Sequence, residues 1–285
     1  MLAWSALGAH GQEAATKRRL MRWLIDLDGV MWRSTTLIEG SDAAIARLRE
    51  RGDSVRFITN NSTLTPAAYV AKLASLGVAA DVGEILTSAM AAALELGTGK
   101  RVLAIGEEGL TSQIAQGNEL VAPRTLEEAE GLDAVVLGWH RGFSWDLLAR
   151  ACVAIRSGAR FLATNRDPTY PLERLIVPGT GALVASLVAS TSVEPVFCGK
   201  PDEPMVRLAR PHVEAGATVM VGDRLSTDGA FAAVLGVPFI WVRSGITEHD
   251  EGSLPIAAAV ADLAEAVEHA DVTDGWKSHA SRRGS

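Results

Sequence analysis

Short runs of β-branched and large apolar residues alternate along this chain with longer stretches of helical period. The runs RWLIDLD, SVRFITN, RVLAIG, DAVVLGW, RFLATN, EPVFCGK, TVMVGD and PFIWVRSG read as strands. Between them lie helical patterns such as SDAAIARLRERG, TPAAYVAKLASLG, SWDLLARACVAIRSG and PDEPMVRLARPHVEAG. This alternation predicts βαβ units, and hence an α/β fold of largely parallel sheets covered on both faces by helices. In such sheets ligands bind beyond the carboxyl ends of the strands, at a topological switch point. The strand ends are therefore where function is to be sought. The strands between about residues 96 and 192 suffice for a second, smaller sheet.

Composition narrows the class. Of the 285 residues, 48% are hydrophobic and 21% charged, which describes a packed globular protein with enough chain for one large domain or two moderate ones. The 27 Lys and Arg against 34 Asp and Glu leave a net charge of −7. That balance speaks against a nucleic-acid partner, whose phosphate backbone demands clustered cations. It permits a small phosphorylated ligand, which needs only local donors or a metal. Cys152 and Cys198 are too few for a disulfide framework, so a reducing, cytoplasmic setting is expected. No stretch approaches the roughly 18 apolar residues of a membrane span. In residues 1–20 the cations Lys17, Arg18 and Arg19 follow the mildly apolar part, the reverse of a secretory signal. This segment is expected to be a leader, possessing no fixed structure of its own, with the fold starting near Met21. The polar tail from Thr273 is expected to be loose.

Four strand ends carry chemistry. The first reads Asp26-Leu27-Asp28-Gly29, with two carboxylates on one side of an extended strand. Carboxylates so close repel, and a bound cation relieves them; the simpler reading is an acidic turn. The second reads Thr59-Asn60-Asn61-Ser62, offering neutral donors to an anion, or merely an Asx/ST turn capping the helix that Pro66 opens. The third sets Lys200 between Gly199 and Pro201, where a compact positive charge suits a phosphoryl oxygen. Cys198 beside it reads as a small buried hydrophobe. The fourth ends in Gly222-Asp223 and runs on to Asp228, which could simply start the helix AFAAVLG. That leaves Asp223 unexplained. An acidic pair, a hydroxyl, a lysine and two further acids, each at a strand end, are unlikely to coincide by chance.

Together these segments resemble the haloacid dehalogenase (HAD) superfamily of phosphatases, and specifically its NagD and nitrophenyl-phosphatase-like branch. The motifs stand as DLDGV at 26–30, TNNS at 59–62, GKPDEPM at 199–205 and VGDRLSTD at 221–228, supported by IGEEGL, ATNRDPTYP and VPGTGALVAS. Ser226 departs from the Asp that many relatives carry there. The resemblance implies a Rossmann-like parallel-sheet core, residues 21–95 and 193–275. It also implies a second α/β cap domain, residues 96–192, inserted between the second and third motifs, of a kind that often forms homodimers.

The implied activity is Mg²⁺-dependent hydrolysis of a small phosphomonoester through an aspartyl-phosphate. The resemblance makes Asp26 the nucleophile and Asp28 the general acid and base. Asp26, the Asp28 carbonyl and Asp223 become metal ligands, with Asp228 orienting them. Thr59, Asn60, Asn61 and Lys200 would hold the phosphoryl group. Asn165 and Asp167, with Arg166 between them, are the candidates for contact with the leaving group; His140 and Arg141 are a weaker pair. The stretch from Asp28 to Thr59 is too short for the cap of a mutase. Thr59 and Lys200 lie too far apart in sequence for a receiver domain. A silent phosphoester-binding protein of the same fold is the remaining alternative.

Overall fold

A computed structural model describes residues 19–171, 175–245 and 254–272. Most of the expected leader and the tail from Thr273 lie outside the described residues. Six parallel strands form the larger sheet, in the order Ile256–Val260, Phe239–Val242, Thr218–Gly222, Arg22–Ile25, Ser54–Thr59 and Ile85–Thr87. The chain leaves the central Arg22–Ile25 strand toward one edge and later returns to build the other. The switch point therefore lies at the carboxyl end of Arg22–Ile25, just where Asp26 stands.

A second parallel sheet runs Val196–Phe197, Arg160–Ala163, Ala134–Leu137, Arg101–Ile105 and Glu119–Leu120. Val196–Phe197 falls on the core side of the expected division at residue 193, yet it pairs with Arg160–Ala163. The division in sheet membership thus comes later, because the chain completes this edge before Cys198 carries it back. Three strands of these sheets match no run read from the sequence: Glu119–Leu120, Ile85–Thr87 and Ile256–Val260. Ile85–Thr87 spans three residues, too few to show a period. Ile256–Val260 reads IAAAV, and alanine signals helix by propensity, which sheet pairing here overrides.

Period-two alternation sorts the side chains into layers. Trp23, Ile25, Val55, Phe57, Val219 and Val221 face one side of the larger sheet, while Leu24, Ile58 and Met220 face the other. Val102, Ala134, Val136 and Leu162 of the second sheet join the same cluster as Leu24, Ile58 and Met220. Residues of the Ser88–Leu96, Glu203–Ala209 and Ala230–Leu235 helices belong to that cluster as well. The outward face of the second sheet, with Leu103, Val135 and Phe161, packs on the helices Trp145–Arg156 and Thr180–Thr191. One apolar layer is thus shared by both sheets.

At the other end of the central strand, buried Asp53 accepts from the Met21 N–H at 2.9 Å and from Trp23 Nε1 at 3.3 Å. Removing it strands two buried donors, a cost of about 1–3 kcal/mol. Asp53→Ala should therefore unfold at lower urea by about that free energy with unchanged catalytic constants, as equilibrium denaturation and steady-state kinetics would report.

Candidate active site

The carboxyl ends of three strands converge on one buried ammonium. Lys200 is 2% exposed, and its Nζ donates to Asp26 Oδ1 at 2.7 Å, Asp228 Oδ1 at 2.7 Å and the Ile58 carbonyl at 3.0 Å. The backbone around it is clamped by Asn60. Asn60 Oδ1 accepts the Lys200 N–H at 2.6 Å, and Asn60 Nδ2 donates to the Lys200 carbonyl at 3.1 Å. A side chain at Gly199 would run into Asn60 Oδ1 and the Thr164 carbonyl, which explains the glycine before the lysine.

Asp223 completes an acidic cluster. One carboxylate oxygen from each of Asp26, Asp223 and Asp228 lies within 4.8 Å of the others, and all three residues are buried. Burial drives the Asp26 carboxyl well above the usual carboxylate range, against the pull of Lys200 and with the help of Asp228 and Asp223. Burial opposes the Lys200 charge too, but Asp228 and Asp26 outweigh it and raise the ammonium's proton affinity. Asp228 does not cap the helix that follows it: its Oδ2 accepts the Arg224 N–H at 3.2 Å within the turn Leu225–Gly229. It stands in the carboxylate cluster beside Asp26 and Asp223.

The Thr59–Ser62 segment is indeed a turn. Thr59 Oγ1 accepts the Asn61 N–H at 3.0 Å and Asn61 Oδ1 accepts the Thr63 N–H at 3.1 Å. The helix Pro66–Ser75 has its own cap, Thr65, so Thr59 is not spent on it. Asp28 and its neighbours Thr59, Asn60 and Asn61 line a cavity of about 1250 Å³, together with Asp26, Lys200 and Asp223. Trp32 Nε1 donates to Asp28 Oδ1 at 2.8 Å.

The loop after Arg160–Ala163 reaches the same cavity, but its polar groups are engaged. Asn165 Nδ2 donates to the Asn60 carbonyl at 2.9 Å. Asp167 Oδ1 pairs with Arg224 Nη1 at 3.1 Å, which ties this loop to the residue next to Asp223. Burial raises the Asp167 carboxyl, opposed by Arg224 and Lys200. Arg166 turns to Asp202 and the Phe197 ring, and His140 faces Glu107 at 3.3 Å, so neither lines the cavity. Cys198 is buried, its thiol pushed up to about 12 by burial, which keeps it inert.

Several lining residues had no signal in the sequence. Trp139 and Tyr170 stack at 4.8 Å between ring centroids, and Asn61 Nδ2 donates to the Tyr170 hydroxyl at 3.4 Å. Arg224 sits inside a quoted motif, but only the fold brings it to Asp167. Gly29 and Gly245 both press against Asp223, and a Cβ at either would overlap its carboxylate.

A family model described as haloacid dehalogenase-like hydrolase matches residues 23–118, and a HAD-hydrolase-like model matches residues 197–266. The chain is 36% identical to the 5'-nucleotidase YutF of Bacillus subtilis over 233 residues, 80% of this chain and 89% of that one. It is 33% identical to the acid sugar phosphatase of Staphylococcus saprophyticus over 254 residues, 86% of this chain and 96% of that one. The glycerol phosphate phosphatase of Mycobacterium tuberculosis, solved with magnesium, superposes with a TM-score of 0.77 at 34% identity, covering 86% of this chain and 75% of that one. The fold and these likenesses define an enzyme that hydrolyses phosphoric monoesters. The chain belongs to the haloacid dehalogenase-like hydrolase family.

Because a Cβ at Gly245 would overlap the Asp223 carboxylate, Gly245→Ala should displace that group. The expected result is a loss in kcat/KM of about 10-fold or more with little change in Tm, measured by steady-state kinetics and thermal melts.

Proposed function

We propose that this chain is a Mg²⁺-dependent phosphomonoesterase that passes the phosphoryl group through Asp26. The observation that carries this reading is the Asp26–Lys200–Asp228 bridge beside Asp223, at the base of the cavity. Three carboxylates against one ammonium leave two negative charges in a buried oxygen-donor cluster, which suits a hard divalent cation. Asp26, Asp223 and the Asp28 carbonyl would hold the ion, with Asp228 orienting them. When bound, it neutralises charge on the phosphoryl oxygens. The magnesium complex of the mycobacterial glycerol phosphate phosphatase supports the choice of ion; the same protein has also been solved in complex with calcium.

Asp26 attacks phosphorus while Asp28 protonates the departing oxygen. Asp28 then takes a proton from the water that cleaves the aspartyl-phosphate. The Thr59 hydroxyl, the Asn60 N–H and the charge of the Lys200 ammonium steady the phosphoryl oxygens, while the Asn61 N–H closes on Thr59 Oγ1 and holds that hydroxyl in place. The Asn60 side chain contributes by fixing Lys200 rather than by touching phosphate. Residues 96–192 act as a cap over this face, with Asn165 and Asp167 at the leaving-group side. The cavity exceeds a phosphate several-fold in volume, so the partner is a small phosphorylated metabolite of nucleotide, sugar or glycerol phosphate type. Among the described residues no helix is long and apolar enough to cross a membrane; a cytoplasmic enzyme fits the low cysteine content.

Asp26→Asn should abolish turnover and acid-trapped phosphoenzyme while leaving the fold intact. EDTA should silence the native enzyme, Mg²⁺ should restore it, and Ca²⁺ should restore little, because its looser coordination can capture Asp26 with both oxygens. Equal rates with EDTA and with Mg²⁺ would refute the metal assignment.

Asp167→Ala releases Arg224 and removes a polar group from the leaving-group side. It should change the ranking of phosphomonoesters by about 5-fold or more in kcat/KM while altering a small aryl phosphate by less than about 2-fold. An unchanged ranking across a broad panel would reduce Asp167 to an Arg224 tether.

A further inference from the structure

The turn that follows Asp28 carries an arrangement the proposed mechanism leaves unused. Gly29, at φ 85°, lets the chain reverse, and the Gly29 N–H donates to the Trp32 carbonyl at 2.8 Å. Asp28 and Trp32 form an isolated backbone bridge. The reversal brings the wholly buried Trp32 indole to Asp28 Oδ1, with Nε1 donating at 2.8 Å. The ring is held in turn by two residues on one face of the helix Pro66–Ser75. Tyr69 lies parallel to it, with centroids 6.5 Å apart and an interplanar angle of 8°. Lys72 Nζ sits 3.8 Å from the ring centroid and is anchored by a 3.1 Å bond to the Ser34 carbonyl.

We propose that Trp32, carried by Tyr69 and Lys72, is the positioning residue that orients the Asp28 carboxyl toward the leaving group. The proposal rests on the acid–base reading of Asp28. An indole N–H only donates, so the oxygen it binds must remain an acceptor. A carbonyl oxygen accepts more strongly than a carboxylic hydroxyl, so in the acid form this contact favours the tautomer with its proton on Oδ2. A tyrosine or histidine at position 32 could accept as well as donate and would not impose that choice. The Lys72 cation on the ring face draws on the ring's electrons and sharpens the N–H donor. In the first step the Asp26–phosphorus bond forms, the ester P–O bond breaks, and the Oδ2 proton goes to the departing oxygen. In the second, water oxygen bonds to phosphorus, the Asp26–phosphorus bond breaks, and the water proton returns to Asp28 Oδ2. Trp32 keeps its own proton throughout.

The test compares leaving groups in the Mg²⁺-loaded enzyme. Trp32→Phe keeps the ring and its stacking but loses the donor. With this variant, kcat/KM for an alkyl phosphate such as glycerol phosphate should fall about 10- to 100-fold. For 4-nitrophenyl phosphate, whose leaving group departs unprotonated, kcat/KM should fall by less than about 3-fold, while kcat falls more because water activation also needs Asp28. An equal loss of kcat/KM on both substrates overturns the proposal and leaves Trp32 as packing. Should Trp32→Phe fail to fold, Lys72→Met keeps the indole and removes only the cation. It should lower the alkyl-phosphate value about 2- to 5-fold selectively, and an equal effect on both substrates again counts against the proposal. Asp28→Asn run in parallel separates the two failures. If it shows no preference between leaving groups, the acid–base reading of Asp28 has failed, and the Trp32 proposal with it. If Asp28→Asn discriminates and Trp32→Phe does not, only the proposal has failed.

Discussion

A lysine ammonium sealed among carboxylates organises this molecule. A charge that is almost wholly buried is costly unless paired and fully hydrogen-bonded. Lys200 meets that demand with Asp26, Asp228 and the Ile58 carbonyl. Each partner comes from a different part of the chain, so the ammonium fixes the relative position of three strand ends at once. Asn60 binds both backbone polar groups of Lys200, and Ser88 and Asn165 both donate to the Asn60 carbonyl. The site is therefore one continuous polar network, in which removing any member leaves another buried group exposed to the same penalty.

The network sits at the edge of an apolar layer that the two sheets share. Leu24, Ile58 and Met220 below and Val102, Val136 and Leu162 above belong to one cluster. A shared layer of this kind resists sliding, because any displacement opens voids between close-packed side chains. The second sheet is thus held against the core on the apolar side. On the polar side the ties include Asn165 to Asn60, Asp167 to Arg224, Arg166 to Asp202, the Gly109 N–H to the Thr63 carbonyl, Ser62 to Thr164 and Asn61 to Tyr170.

Much of this was readable in the sequence, and the parts that were not share a cause. The strand ends bearing Asp26, Thr59, Lys200 and Asp223 stand out because buried parallel strands read as apolar runs and anything polar at their tips needs a reason. Period two also predicts the layers. What escaped were contacts with no period behind them. Trp32 meets Asp28 through an irregular turn, not a helix, although the two are only four residues apart. Gly245 meets Asp223, and Arg224 meets Asp167, across the fold. The Asn60 side chain looked like a phosphate donor because the sequence shows its type but not its partner, which proves to be the Lys200 backbone. Val196–Phe197 joins the second sheet beyond the boundary expected at residue 193, because a two-residue edge strand has no alternation to read.

Asp26 and Asp28, two residues apart, have environments suited to opposite duties. Asp26 lies buried with Lys200 on Oδ1 and two further carboxylates close by. Without compensation that crowd favours its neutral form, as the upward shift of its proton affinity records. In the proposed mechanism Asp26 must be ionised, which calls for further positive charge here, and the cluster has the oxygen donors to bind it. Asp28 stands half-buried at the cavity wall, outside that cluster, with a neutral indole donor on one oxygen. A neutral donor fixes a carboxyl in orientation without placing a charge beside it. The same strand end thus supplies one carboxylate that a cation can keep charged and another held in orientation by a neutral donor at the cavity wall. Both are required if one site is to make and then break an acyl phosphate.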